Sequence, residues 1–209
     1  MTAGAVDARR AGTIGVEETS AAAIAIAAER RIDTTYVGVL LFIASEAMFF
    51  VGLFAAYFTT RTGHPVWPPP SVHLDLPLAA VLTVVLVASS GTMQLAVRAI
   101  RRGDRRGMQR AMLVTVVLGI VFLCGQAYDY ATLGLPLDSG SYAAAFYTLT
   151  GFHGAHVLGG VIAISLMLGR AAQGQFTAEH HAAVEGAGAY WHFVDIVWLF
   201  VFSTIFLIR

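Results

Sequence analysis

Apolar residues gather along the chain into five stretches, Tyr36 to Thr59, Pro77 to Val97, Met108 to Ala127, Tyr142 to Leu168 and Gly186 to Ile208. Each is long enough to cross a hydrocarbon core, which takes about 20 helical residues. Backbone groups facing lipid must be satisfied within their own segment, so the stretches predict helices. The expected fold is an all-α integral membrane protein, a bundle of five transmembrane helices over residues 34–209, with residues 1–33 as a mobile or interfacial tail. The polar breaks predict the connections. Gly103-Asp104, inside the basic loop Arg98 to Arg110, is a turn that makes the second and third helices an antiparallel hairpin. Pro65 to Pro70 favours extended polyproline backbone, with Trp67 suited to the headgroup boundary. Ser139 or Ser141 can cap the fourth helix.

Composition agrees with this pattern. The chain is 57% hydrophobic and 12% charged, with a mean hydropathy of +0.70, about half the charged fraction of an average soluble domain. Charge then orients the bundle, because all thirteen basic residues are arginine and eleven of them fall on one side. Arg9, Arg10, Arg30, Arg31, Arg98, Arg101, Arg102, Arg105, Arg106, Arg110 and Arg170 stand against Arg61 and Arg209. By the positive-inside rule the N-terminus is cytoplasmic and the C-terminus extracytoplasmic. The basic loop reads as a topology signal and a contact for anionic lipid; no nucleic-acid partner is expected. The single cysteine, Cys124, excludes an intrachain disulfide framework or thiolate cluster and reads as a packed thiol. Ala21 to Ala28 is too short, and too closely followed by Glu29-Arg30-Arg31, for an ordinary secretory signal.

Against this apolar background a few polar residues stand out: Glu46, His153 with His156, and His192 with Asp195. A charge at mid-bilayer costs about 2.5 to 3.5 kcal/mol on insertion scales, so such residues face protein or water and have a partner. At about 1.5 Å per residue, Glu46 lies about 15 Å from the inner end of its helix, His192 and Asp195 about 9 and 14 Å, and His156 and His153 about 18 and 22 Å. The five groups can therefore share one polar layer, with Glu46 expected to hydrogen-bond a histidine, His192 first. Three readings stay open: a structural network holding helices in register, a protonic pair in which Glu46 exchanges a proton with histidine, and metal or haem ligation by His153 and His156, three apart on one helical face. No cysteine cluster or paired Glu-x-x-His motif supports the last. His180 and His181, beside Glu179 and Glu185, can collect protons at the inner surface or simply be solvated. Gly151, Ala155, Gly159 and Ala163 form a small-residue stripe that predicts a packing seam. A small haem-binding protein or proton-coupled transporter is a rival, though five helices do not divide into inverted repeats.

In order along the chain stand Ser45-Glu46-Ala47-Met48-Phe49-Phe50, Trp67-Pro68-Pro69, Gly103-Asp104-Arg105, Gln126-Ala127-Tyr128-Asp129-Tyr130, Thr150-Gly151-Phe152-His153-Gly154-Ala155-His156-Val157, His180-His181, and Tyr190-Trp191-His192-Phe193-Val194-Asp195-Ile196-Val197-Trp198. Read together, these motifs over Tyr36 to Arg209 resemble cytochrome c oxidase subunit III, of the haem-copper oxidase accessory-subunit family. The longest members have seven helices, so this chain resembles the shorter bacterial form. The resemblance implies a multi-pass protein of the bacterial plasma membrane without redox centres of its own. It would pack on subunit I, beside subunit II and smaller subunits, which carry haem and copper, and it would bind phospholipid and support proton uptake and durability of the oxidase. The family's carbodiimide-reactive glutamate maps on Glu46. The third subunit of ubiquinol oxidases and an accessory protein of nitric oxide reductases are similar at this length. The all-arginine usage is compatible with a GC-rich actinobacterium, where such oxidases are expected to join a cytochrome bc complex.

Overall fold

The computed structural model describes residues 34–70 and 72–208; the expected tail over residues 1–33 and Arg209 lie outside them. Five long helices follow one another: α1 Thr34–Thr62, α2 Leu76–Arg101, α3 Arg105–Thr132, α4 Ser141–Ala172 and α5 Ala182–Phe202, the last running on into a π-helical turn, Ser203–Leu207. Each is long and apolar enough to cross a membrane. The predicted stretches lie within them except for Ile208, one residue past the π-helical turn, and the helices are extended at most other ends because polar residues complete the first and last turns. At the start of α2 the Leu78 N–H donates to Asp75 Oδ1 (2.9 Å), and at the start of α3 the Gly107 N–H donates to Asp104 Oδ1 (2.8 Å). The Gly103-Asp104 turn forms as expected, with Gly103 at φ +78°, a left-handed conformation that only glycine adopts without strain.

The closest backbone contacts join α2 to α3, α3 to α4, α4 to α5 and α5 to α2, closing a four-helix ring. At its centre Trp191 of α5 is fully buried. Its indole reaches Gly160 of α4 and Gly119 of α3, where an added Cβ would stand 2.8 Å from the ring in each case, and its Nε1–H donates to Ser89 Oγ of α2 (2.9 Å). One side chain thus joins all four helices. Trp198, two turns on, donates to Thr83 Oγ1 of α2 (2.9 Å).

Helix α1 lies outside the ring, against the seam between α4 and α5, and is attached mainly through rings. Phe42 stacks on Tyr190, Phe49 meets Phe152 edge-on, Phe50 meets Phe193, and Phe54 meets Phe200. At its far end Arg61 Nη1 donates to the Ile208 carbonyl (2.9 Å).

Several local expectations are corrected. The proline run is a series of bends rather than extended polyproline. Its Trp67 is buried, clamped between Tyr57 and Tyr142, and donates to the Tyr57 hydroxyl (2.9 Å). Neither serine caps α4: Gly140 precedes it without a side-chain cap, and Ser139 Oγ bonds the Pro136 carbonyl. Cys124 is exposed on α3 rather than packed. Among the described residues the stripe Gly151, Ala155, Gly159, Ala163 is not where α4 closes on its neighbours within this chain. Ala155 and Gly159 are exposed, and the buried edge of α4 runs through Leu149, His153, Val157, Gly160 and Ile164. The glycine that admits a neighbouring helix is Gly160, one residue round from the stripe.

Candidate functional site: an intramembrane polar layer

Glu46 is the one acidic residue of α1, and its carboxyl faces α4. Its Oε2 lies 2.8 Å from His156 Nε2, with both side chains mostly covered, 22% and 15% exposed. The other ring nitrogen, Nδ1, stands 2.7 Å from the Phe152 carbonyl one turn back. A carbonyl can only accept, so Nδ1 carries a hydrogen and donates it. The contact between Nε2 and Oε2 then holds a single hydrogen, either on the carboxyl or on the ring. The pair is therefore a two-position proton site: neutral acid with neutral imidazole, or carboxylate with imidazolium. Phe49 and Phe50 pack on the His156 ring, and the Tyr190 hydroxyl donates to the His156 carbonyl (3.1 Å), so the imidazole is held between α1, α4 and α5.

The partner expected first, His192, is elsewhere. On α5 the residues facing α1 include Tyr190 and Phe193, whereas Gly188, His192 and Trp198, four and six residues apart, face α2. His192 therefore points to α2, where Nδ1 pairs with Ser90 Oγ and Nε2 lies 3.2 Å from Gln94 Oε1. Asp195, one turn on, is 5% exposed. Neither of its carboxyl oxygens has a hydrogen-bond partner among the described residues.

His153 is fully buried, edge-on to Phe122 and tilted over Trp198, and its two ring nitrogens have no hydrogen-bond partner among the described residues. The spacing of three that suggested a ligand pair fails here. A step of three turns the helix by about 300°, and that is enough to send His153 into the ring and His156 out to α1. Among the described residues no three His, Cys, Asp or Glu side chains converge so as to hold a metal.

At the arginine-rich end, His181 and His180 part company. His181 Nε2 lies 3.1 Å from Glu185 Oε1, the same oxygen that receives Arg101 Nε and Nη2 at 2.7 Å. His180 is exposed, and its backbone N–H is held by Thr177 Oγ1. Between this ion pair and His192 lies a cavity of about 200 Å³, lined by Tyr36, Gln94, Arg101, Glu185 and His192 among others. It is a polar recess running from the helix ends to His192.

Sequence reasoning missed the partners. Ser89, Ser90 and Gln94 of α2 receive Trp191 and His192. Gln126 and Tyr130 of α3 bond Thr150 of α4, with the two hydroxyls 2.6 Å apart. Thr92 and Thr115 bridge α2 and α3 (2.7 Å). The signal was present as Ser89-Ser90-Gly91-Thr92-Met93-Gln94, a polar run inside an apolar stretch.

Comparison with known proteins places these features in a family. The family model for cytochrome c oxidase subunit III matches residues 18–208. The chain is 42% identical over 190 residues to cytochrome c oxidase subunit 3 of Corynebacterium diphtheriae, covering 88% of this chain and 93% of that one. It is 44% identical over 183 residues to the probable cytochrome c oxidase subunit 3 of Mycobacterium tuberculosis, covering 86% and 90%. With cytochrome c oxidase subunit 3 of Thermostichus vulcanus it shares 38% over 196 residues, covering 93% and 98%.

Proposed function

The chain belongs to the cytochrome c oxidase subunit III family, and from that premise we propose that it is a non-redox subunit of a proton-pumping terminal oxidase. Electrons from cytochrome c reduce oxygen to water at haem and copper centres on partner chains. This subunit packs on subunit I, near subunit II and smaller subunits, in the bacterial plasma membrane, and the complex can associate further with a cytochrome bc complex. Its N-terminus faces the cytoplasm and its C-terminus the outside.

One observation carries the non-redox part. The three intramembrane histidines go to three different places: His156 to Glu46, His192 to Ser90 and Gln94, and His153 between aromatic rings. A ligand set needs its nitrogens to converge, and these diverge. The same residues suit support of proton uptake. Glu46 and His156 hold one hydrogen between them, and the recess below His192 opens toward the arginine-rich end. Phospholipid bound along the helices would steady the complex through turnover.

Purification of the affinity-tagged chain in mild detergent tests this reading. Co-purification of a haem- and copper-bearing oxidase core, with the isolated tagged chain colourless, is the expected result. A visible haem spectrum from this polypeptide alone would overturn it.

A further inference from the structure

Inside the four-helix ring, near the π-helical turn that ends α5, lies a small cavity. Ala79 of α2, Gln126 and Asp129 of α3, Thr150 of α4, Trp198 of α5 and Phe206 of the turn line it, among others. All six except Asp129 are buried. The volume is about 10 Å³, close to the room that one water molecule needs. Gln126, 6% exposed, turns its amide nitrogen to α4: Nε2 donates to the Thr150 carbonyl (3.2 Å) and to the Tyr130 hydroxyl (3.4 Å). The Thr150 hydroxyl donates to the Phe146 carbonyl (2.7 Å), so the hydrogen between Tyr130 and Thr150 Oγ1 (2.6 Å) belongs to Tyr130. The amide cannot be turned over, because Oε1 would then stand against the Thr150 carbonyl, acceptor to acceptor. Gln126 Oε1 is thus a buried acceptor with no hydrogen-bond partner among the described residues, a costly state in an apolar interior. The donors at the cavity are already engaged, Thr150 with Phe146 and Trp198 Nε1–H with Thr83 Oγ1 (2.9 Å), and an ionised Asp129 only accepts.

We propose that this cavity binds one water molecule, which donates one hydrogen to Gln126 Oε1 and the other to a carboxyl oxygen of Asp129. Residues three apart are neighbours on one helix face, so both acceptors reach the cavity from the same wall. The site calls for a donor with two hydrogens, and its size admits nothing larger than water. A metal cation would meet the same two oxygens, but a hard cation takes about six or more, and Ala79, Leu82, Phe146 and Phe206 supply only hydrocarbon. With the water in place, a hydrogen-bond chain runs from Asp129 through water, Gln126 and Tyr130 to Thr150 and ties α3 to α4 inside the ring. The site depends on the packing of this chain alone and not on the oxidase role.

The test is a density map of the intact complex purified with this chain, at a resolution that shows internal waters. One isolated peak is expected, about 2.7 to 3.2 Å from Gln126 Oε1 and from an Asp129 oxygen. Brief X-ray irradiation in isotopically labelled water gives a second readout, because a water held against a buried ring becomes a hydroxyl radical in place. Trp198, at the cavity, should be oxidised several times faster than Trp191, which is also buried but does not line it. Gln126→Leu removes the acceptor, so the peak should vanish and Trp198 oxidation should fall to the Trp191 level. An empty cavity in a map that shows other internal waters, equal oxidation of the two tryptophans, or unchanged oxidation in the Gln126→Leu complex would sink the proposal. A peak that strengthens when sodium is exchanged for rubidium would assign the site to a cation and overturn the water. If Gln126→Leu fails to assemble because the bonds from α3 to α4 are lost, the map and the tryptophan comparison on the unsubstituted complex still decide it.

Discussion

At the scale of single residues, the shared hydrogen between Glu46 and His156 is the most specific chemistry the chain presents. Because the Phe152 carbonyl holds Nδ1–H, an amide at position 46 can still donate to a bare Nε2. Glu46→Gln should therefore assemble normally, and its complex should dissociate thermally within about 1 kcal/mol of the parent, the net worth of one hydrogen bond. His156→Ala removes the partner and leaves a mostly covered carboxyl alone, which costs about 1 to 3 kcal/mol. Thermal dissociation of detergent-solubilised complex, followed by size exclusion, checks both. A Gln variant that fails to assemble would mean that the ionised carboxylate is structurally required. Depth along each helix was legible from the sequence and correctly matched Glu46 with a histidine of similar level. The direction each side chain takes around its helix was not. Glu46 at about 15 Å lies within reach of both His156 and His192 by depth, about 3 Å from the first and about 6 Å from the second; what decides between them is that α5 turns Tyr190 and Phe193, not His192, toward α1.

At the scale of helices, the same limitation explains the misplaced packing seam. Four-residue spacing of small residues picks out Gly159, but the ring closes on Gly160, because Trp191 enters α4 there and spans to Gly119. Two neighbouring glycines thus have opposite requirements. A Cβ on Gly160 would meet Trp191 Cε3 and Cζ3 at 2.8 Å, whereas on Gly159 its nearest neighbour is the Tyr190 hydroxyl at 3.7 Å. Trp191 cannot easily yield, since it is fully buried and tied to Ser89. Gly160→Ala should therefore destabilise by about 1 to 3 kcal/mol, the usual cost of overpacking. Gly159→Ala should be neutral or stabilise by up to about 1 kcal/mol through helix propensity. The measurement is the midpoint of thermal unfolding of the two variants in the same detergent. Equal effects would show that Trp191 does not wedge the ring as described. The existence and extent of all five helices were readable because length and apolarity determine them; the contacts between helices depend on side-chain shape, for which the sequence holds only a faint signal such as the Ser89 to Gln94 run.

For the whole molecule, the arrangement of charge links the fold to its direction in the membrane. The α2–α3 and α4–α5 connections lie at one end of the bundle: Arg101 at the end of α2 pairs with Glu185 at the start of α5, and Gln109 near the start of α3 donates to the Ala171 carbonyl at the end of α4 (2.8 Å). Arg98, Arg101, Arg102, Arg105, Arg106, Arg110 and Arg170 all belong to that end, while Arg61 sits at the other, bonded to Ile208. Exported loops rarely carry so many arginines, and the excess near helix ends is what sets orientation. The proposed direction therefore makes a sharp prediction in a Cys124→Ser background. Asp138→Cys, on the α3–α4 loop, should react with a membrane-impermeant maleimide in intact cells. Gln173→Cys, at the arginine-rich end, should react only after the membrane is opened. Both positions are exposed in the chain itself, so a difference between them reports sidedness if opened membranes label both. The reverse pattern would invert the molecule and turn the recess below His192 to the outside, removing the argument that it serves proton uptake from the cytoplasm while leaving the helix packing untouched.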